Sequence, residues 1–581
     1  MSLATETSTT ITTGDIPPLA PATRADRPWI VAVAVVAALA VAPLAAILAI
    51  STLNISGETG ATWAHLLSTV LPGTALTTVL LMVGVGLVTA VVGTVAAWIV
   101  AMCRFPGRGV FEWALLLPLA IPTYIVAYVH VELLDFTGPV QGAIRAVFGF
   151  KSARDYWFPD IRSLPSAIFV MSSVLYPYVY IPARAMFGLQ SATTLEVART
   201  LGAGPWRVFF RVALPLARPA LVVGVTLVLM ETLNDIGAVE YLGVKTLTFS
   251  IYDTWLNRGS LGGAAQLATV MLVIVFALIT AERHARRHQR FHGASTKVRA
   301  ATGYKLGGRM AALAFLACLT PVLIGFVVPA GMLADYTSRR LDTFLDPTVQ
   351  RAALDSFLLA VAAALVTVAA GLVVAYAMRV SRTRVVAALA RFASVGYAVP
   401  GTVLALGILV PLSGIDNLID RTAKLLTGHG TGLVLIASGA GLVYAYFSRF
   451  LAAAFGSIES GLARVSVHLD MAARTLGRSG GRVLTEIHMP LIRPVLVSAG
   501  ILVFVDAMKE LPATLLLKPF NFETLATFVY AQASREAVAD GAPAALLIVL
   551  VGLVPLVTLS RIGRGREARL SGRRTRARDT T

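Results

Sequence analysis

About twelve stretches of this chain run for roughly 20 residues with scarcely a charge, and a run of that kind has few ways to fold. They lie near 30–50, 74–102, 110–134, 164–188, 216–238 and 264–281, and again near 310–333, 352–378, 386–412, 431–456, 491–513 and 543–560. Each is long enough, at about 1.5 Å per residue, to cross a hydrocarbon layer as a helix. Lipid offers the backbone no hydrogen-bond partners, so every run must satisfy its own N–H and C=O groups. Composition agrees. The chain is 56% hydrophobic and 14% charged, where a soluble domain carries about 25% charged residues. The reading is an all-α, polytopic transmembrane helical bundle of about twelve spans.

The net charge is +18. A nucleic-acid partner is excluded by where that charge sits, which is at the ends of spans. One basic segment is Cys103–Arg108. A second runs from Arg283 to Arg309 with eight Lys or Arg, a third holds Arg379, Arg382 and Arg384, and the tail has eight arginines between Arg561 and Arg578. Counting spans puts all four on one side, and the positive-inside rule makes that side cytoplasmic, with both termini inside. The opposite loops are mixed or acidic, as at Asp135, Asp155 and Asp160. Residues 1–28, polar and rich in Thr, Ala and Pro, read as a disordered cytoplasmic leader rather than a signal peptide.

The chain repeats itself. ARTLGAGPWRVFFRVALPLARPALV begins near residue 198 and ARTLGRSGGRVLTEIHMPLIRPVLV near 473, with a constant offset of 275 and no gap. Two homologous six-span halves follow, at 29–281 and 310–560, joined by a basic cytoplasmic linker at 282–309 and followed by a basic cytoplasmic tail at 561–581. Parallel halves of this kind are a known transporter architecture. The repeated segment falls between the fourth and fifth spans of each half. Gly202, Gly204, Gly477, Gly480 and Gly481 supply turns that other residues would strain. Pro205 suits the first position of a helix, and Pro215, Pro219, Pro490 and Pro494 mark the start of the next span.

These segments resemble the cytoplasmic loop of binding-protein-dependent ABC importer permeases. The residues that carry the likeness are Glu196, Ala198, Gly202, Val212, Leu214 and Pro215 in the first copy, and Ala472, Ala473, Gly477, Ile487, Met489 and Pro490 in the second. The resemblance implies that each loop docks on an ATP-hydrolysing subunit, so that two copies of the ATPase bind one chain. It also implies an extracytoplasmic substrate-binding protein, a bacterial inner-membrane location and contact with membrane lipid. The acid of the second copy, Asp470, sits one place earlier than Glu196 would predict, with Met471 in its place, so the second loop is expected to rely less on that carboxylate. The wording MKELPATLLLKPFNFETLAT at 508–527 is similar to the ferric-iron permeases. Thiamine and phosphonate permeases are the alternatives.

Nothing in the chain reads as an enzyme. It has no Gly-x-x-x-x-Gly-Lys-Ser/Thr phosphate loop, so ATP belongs to the partner subunit and no cofactor is expected on this chain. Cys103 and Cys318 lie in different halves and read as small core residues. His284, His288 and His292 share one face of the linker, which fits a solvated basic helix better than a metal site. A secondary transporter or channel would have no use for paired docking loops.

The candidate pathway residues are acids inside spans, which are costly in lipid and tend to face a cavity or a partner. Glu231 and Asp235 lie in the fifth span of the first half, and Asp506 and Glu510 occupy the same positions 275 residues later. Each pair is spaced i, i+4, which puts both carboxylates on one helix face. Each first acid is twelve residues past Pro219 or Pro494, about 18 Å along a helix. Two such helices facing each other would place four carboxylates round one passage, a donor set suited to hard cations. The alternative is that these acids pair with Lys509 or a nearby Arg, or sit in the outer headgroup layer. A reporter protein fused after Arg299 should be active only in a form that requires the cytoplasm, and activity on the outer face would break the span count.

Overall fold

The computed structural model describes residues 26–52, 59–189, 200–286, 303–381 and 383–555. The leader, most of the linker and the basic tail lie outside these residues. The described chain is almost wholly helical, with ten helices long and apolar enough to cross a membrane and two bent pairs that raise the count to twelve.

Both halves break their third span at a proline. In the first half the helices Arg108–Ala120 and Thr123–Phe148 meet at 90° across Ile121–Pro122. In the second half the equivalent pair is Val399–Pro400, between a short helix Arg384–Ala393 and the long helix Gly401–Thr427. Proline lacks an N–H and pushes the residue before it out of the helical region. The apolar run at 386–412 is therefore not one span. Its first part is amphipathic, burying Val386, Ala390 and Ala393 while Val385 and Phe392 stay exposed. The spanning helix begins only at Gly401.

The fifth span obeys a related rule. Helices Pro205–Asn234 and Gly480–Met508 each contain a π-helical turn, at Phe209–Ala213 and Leu484–His488, immediately before Leu214–Pro215 and Met489–Pro490. A proline leaves the carbonyl four residues back without its usual donor, and a one-residue widening of the ladder absorbs the mismatch. The prolines expected to open the span thus lie inside one continuous helix.

Within each half, the second, fourth and fifth spans pack together. Small residues allow the close approach that membrane helices depend on. Gly93 and Gly224 face the backbone at Tyr176–Tyr180, and Gly371 faces Phe455. The first helix of each half, however, packs mainly on the other half. Arg27–Thr52 lies along Arg384–Ala393 and Gly401–Thr427, with Val33 buried among Val374, Ala377, Val386 and Ala390. The Tyr444 hydroxyl donates to the Leu39 carbonyl at 2.7 Å. Reciprocally, Ala314, Cys318 and Val322 of Gly308–Val322 sit among Ala96, Phe111 and Tyr176 of the first half. The two chain-order halves are therefore interlocked.

One end of the bundle gathers the described parts of three basic segments. Cys103–Arg104 pairs in parallel with Tyr304–Lys305 in a two-residue ladder. Glu282 and Arg283 line the same cavity as Met378 and Arg391, and Arg379 is ion-paired to Asp470. A Cβ on Gly407 would run into the Pro43 carbonyl where the exchanged first helix crosses it. Gly407→Val should cost about 1–3 kcal/mol by overpacking, read as a lower melting temperature of the purified protein, whereas Gly414→Val, with open space around it, should cost much less.

Candidate functional site

The fifth span of each half stops short. Helix Pro205–Asn234 ends with Asp235 in extended conformation, and the other ends at Met508. New short helices begin at Gly237 and Pro512. The i, i+4 argument therefore fails in both halves, because the helix ends between the two acids. What the break creates is more specific. The first N–H groups of a helix have no partner inside it, and the second acid of each pair accepts them. Asp235 takes the Ala238 N–H at 2.9 Å, and Thr123 lines the same cavity. Glu510, 5% exposed, takes the N–H groups of Ala513 at 3.2 Å and Thr514 at 3.3 Å and the Thr514 hydroxyl at 3.1 Å.

All four predicted acids line one cavity of about 110 Å³ between the halves. Sequence reasoning missed most of the rest of its wall: Tyr124, Tyr178, Asn234, Tyr397 and Arg449. Arg449 carried a readable signal, being a charge in the middle of an apolar span. It is buried, donates to the Asn234 side chain and lies 3.8 Å from Glu510. Asn234 also accepts the N–H of Gly401 at 2.8 Å, so one side chain joins a broken end in each half. Lys509 pairs with Asp506 at 2.9 Å. The pairing alternative thus holds for Asp506 and Glu510. Among the described residues no three His, Cys, Asp or Glu side chains converge as a metal cage. A larger cavity of about 490 Å³ lies toward the basic end, and Tyr397 lines both.

The repeated loops occupy that basic end. Glu196 and Ala198 lie outside the described residues. Gly202 and Gly477 are left-handed, at φ +80° and +74°, which a residue with a side chain adopts only at a cost. Pro205 sits in the first turn of its helix. Leu214, Pro215, Ile487 and Pro490 fall at or just past the π-turns, and Ala473 is buried beneath the second loop. The loop tips are apolar and bare: Leu201 and Trp206 are 81% and 76% exposed, and Leu476, equivalent to Leu201, is 80% exposed.

The two loops are held differently. In the second, Asp470 receives Arg379 at 2.9 Å and His488 Nε2 at 2.6 Å, while Arg379 also donates to the carbonyls of Leu462 and Val465. The Tyr376 hydroxyl donates to Gly480 O at 2.6 Å. In the first, Trp98 packs on Phe187 and Phe209 at 5.3 and 5.0 Å, and Ala213 stands where the second has His488. Asp470 is thus engaged inward, as a fastening. Burial opposes its ionisation, but the Arg379 and His488 hydrogen bonds outweigh that and hold its pKa below the usual carboxylate range.

Two interlocked helical halves that meet round a charged cavity, with paired apolar loop tips at one end, define a membrane permease. Comparison with known proteins makes the class narrower. A family model described as the binding-protein-dependent transport system inner membrane component matches residues 90–290. The chain is 30% identical over 221 residues to the molybdenum transport system permease protein ModB of Azotobacter vinelandii, covering 89% of that protein and 37% of this one. It is 29% identical over 201 residues to the ModB of Escherichia coli K12, 84% of that protein and 33% of this chain. Over its greater length it is 26% identical, across 490 residues, to the Fe(3+)-transport system permease protein FbpB 2 of Haemophilus influenzae, 83% of this chain and 88% of that one. The chain belongs to the binding-protein-dependent permeases, the inner-membrane components of ABC-type importers, in a fused two-half form similar to the Fe(3+)-transport permease.

Because ionised Asp470 is favoured in the folded state, its contribution to stability is fully present above the ordinary carboxylate pKa of about 3.9 and is lost as the pH falls through its lowered value. The wild-type protein should lose thermal stability over that acidic window. Asp470→Asn should melt lower at neutral pH and show a shallower acid loss, as measured by thermal unfolding of the purified protein across pH.

Proposed function

We propose that this chain forms the translocation pathway of an ATP-driven importer for ferric iron, delivered by an extracytoplasmic binding protein, with two ATPase subunits docked on the loops at 195–215 and 470–490. The observation that carries the reading is the cavity at the join between the halves, lined by four carboxylates and three phenols. Oxygen donors of this type suit hard cations, and the relative similar over most of both chains is named for Fe(3+). The basic end then faces the cytoplasm under the positive-inside rule, which puts both termini, the linker and the loop tips on the side where ATP is found. Leu201 and Leu476 insert into equivalent clefts on the two ATPase copies, and Gly202 and Gly477 fix the turns that present them.

Transport in this reading is a change in which cavity is open. The small charged cavity receives the ion from the binding protein, and the 490 Å³ cavity beyond Tyr397 releases it toward the cytoplasm. Closing the ATPases pulls on the loops, and the continuous helices that rise from them end at the cavity acids. A specific observation favours one other cargo class: Arg449 and Lys509 also line the cavity, and an oxyanion would use them, as the molybdenum permeases among the relatives suggest. Uptake of radiolabelled ferric iron against molybdate, in cells lacking and expressing the chain, separates the two.

Replacing Gly202 and Gly477 together with Val should strain both turns by about 1–2 kcal/mol each. Iron uptake should fall at least tenfold while the protein remains in the membrane, and ATPase activity of the isolated complex should no longer respond to the loaded binding protein. Wild-type uptake by this double variant would count against the docking role.

A further inference from the structure

We infer that Glu231 alone of the four acids contacts a cationic cargo, and that the other three hold the framework presenting it. This rests on the import reading above and assigns the contact within it. By sequence the acids form two equivalent pairs, but the structure uses them unequally. Asp235 and Glu510 are taken up by helix starts, and Glu510 also has Arg449. Asp506 is taken up by Lys509 at 2.9 Å. Glu231 makes no hydrogen bond or ion pair through its side chain among the described residues, yet lines the cavity, and the charges of Arg449 and Lys509 reach it only through space.

The residue that breaks the symmetry is three positions along. Lys509 follows Asp506, and at the position 275 residues earlier the first half has Asn234 after Glu231. The lysine neutralises its acid. The asparagine leaves its acid unpaired and instead accepts from Gly401 and Arg449. Acids inside a membrane protein face its interior or a cavity and mark ion paths, and Glu231 is half-buried in the cavity wall with surface left open to one. A second observation points to a ligand as well. Tyr124, 4% exposed, lines the same cavity with its hydroxyl unpartnered, and Tyr178 and Tyr397 line it too. One carboxylate with neighbouring phenols is a hard-oxygen contact too sparse to trap an ion, as a transit site needs to be, since conduction fails when binding is too strong to leave.

The test uses cells expressing the full-length chain with its native partners. Radiolabelled ferric uptake, membrane abundance and melting temperature of the purified protein are measured for Glu231→Gln, Asp506→Asn, Asp235→Asn and Glu510→Gln. Glu231→Gln should keep wild-type abundance and melting temperature and lose at least tenfold of its uptake. Asp235→Asn and Glu510→Gln should lower the melting temperature or abundance, with uptake falling only in proportion to the protein that remains. Asp506→Asn should retain at least a third of uptake per molecule. Wild-type uptake by Glu231→Gln overturns the assignment and leaves the iron reading standing, and so does a fall in its stability that matches the fall in uptake. Failure of the wild-type chain to raise ferric uptake above cells lacking it overturns the iron reading and this assignment together.

Discussion

A helix that stops inside an apolar layer leaves four N–H or four C=O groups without partners, and no water is at hand to take them. This protein stops several helices within apolar runs, at Ile121–Pro122, Asn234, Val399–Pro400 and Met508, and brings the loose ends to one place. Asp235 and Glu510 accept the N–H groups that follow their own breaks, and Asn234 accepts the first N–H of Gly401 from the opposite half. The polar groups that make the cavity charged are in large part those that make the breaks tolerable. The groups that finish the helices are thus also part of the cavity wall.

The same economy explains the interlocking of the halves. A six-helix half folded alone would leave Arg384–Ala393 and the face of Gly401–Thr427 uncovered, and the first helix of the chain covers both. Lipid tails provide little drive for helix association beyond packing, so fit decides it. The crossing at Gly407 and Pro43 is close enough that no side chain fits between them. The halves are held together at their edges by exchanged helices and at their centre by Arg449 and Asn234.

A duplicated sequence does not give a symmetric machine. Asn234 against Lys509, Ala213 against His488 and an aromatic cluster against an ion-paired one are all departures at equivalent positions. Each changes what a neighbouring group can do. Lys509 engages an acid that its counterpart leaves open, and the Arg379–Asp470–His488 linkage fastens one loop by charge where the other is fastened by ring packing. The two loops present equivalent apolar tips from differently anchored bases.

Sequence alone determined that the chain is a membrane-spanning helical bundle, that it is double, and which segments repeat, because hydrocarbon thickness and backbone satisfaction leave so few choices for an apolar run. It also located the acids at 231, 235, 506 and 510 and the turn glycines at 202 and 477, since a charge in lipid and a left-handed turn each leave a mark on a single residue type. It did not show that the helices end between the acids of each pair, that the first helix of each half belongs to the other, or that Arg449 and Asn234 meet from opposite halves. Those depend on partners hundreds of residues apart, as Arg449 is from Asn234, and no local pattern encodes such a contact. Which carboxylate is occupied and which stands open was decided only when the chain closed on itself, because the charge of a group is in its sequence but its pairing is in the space around it.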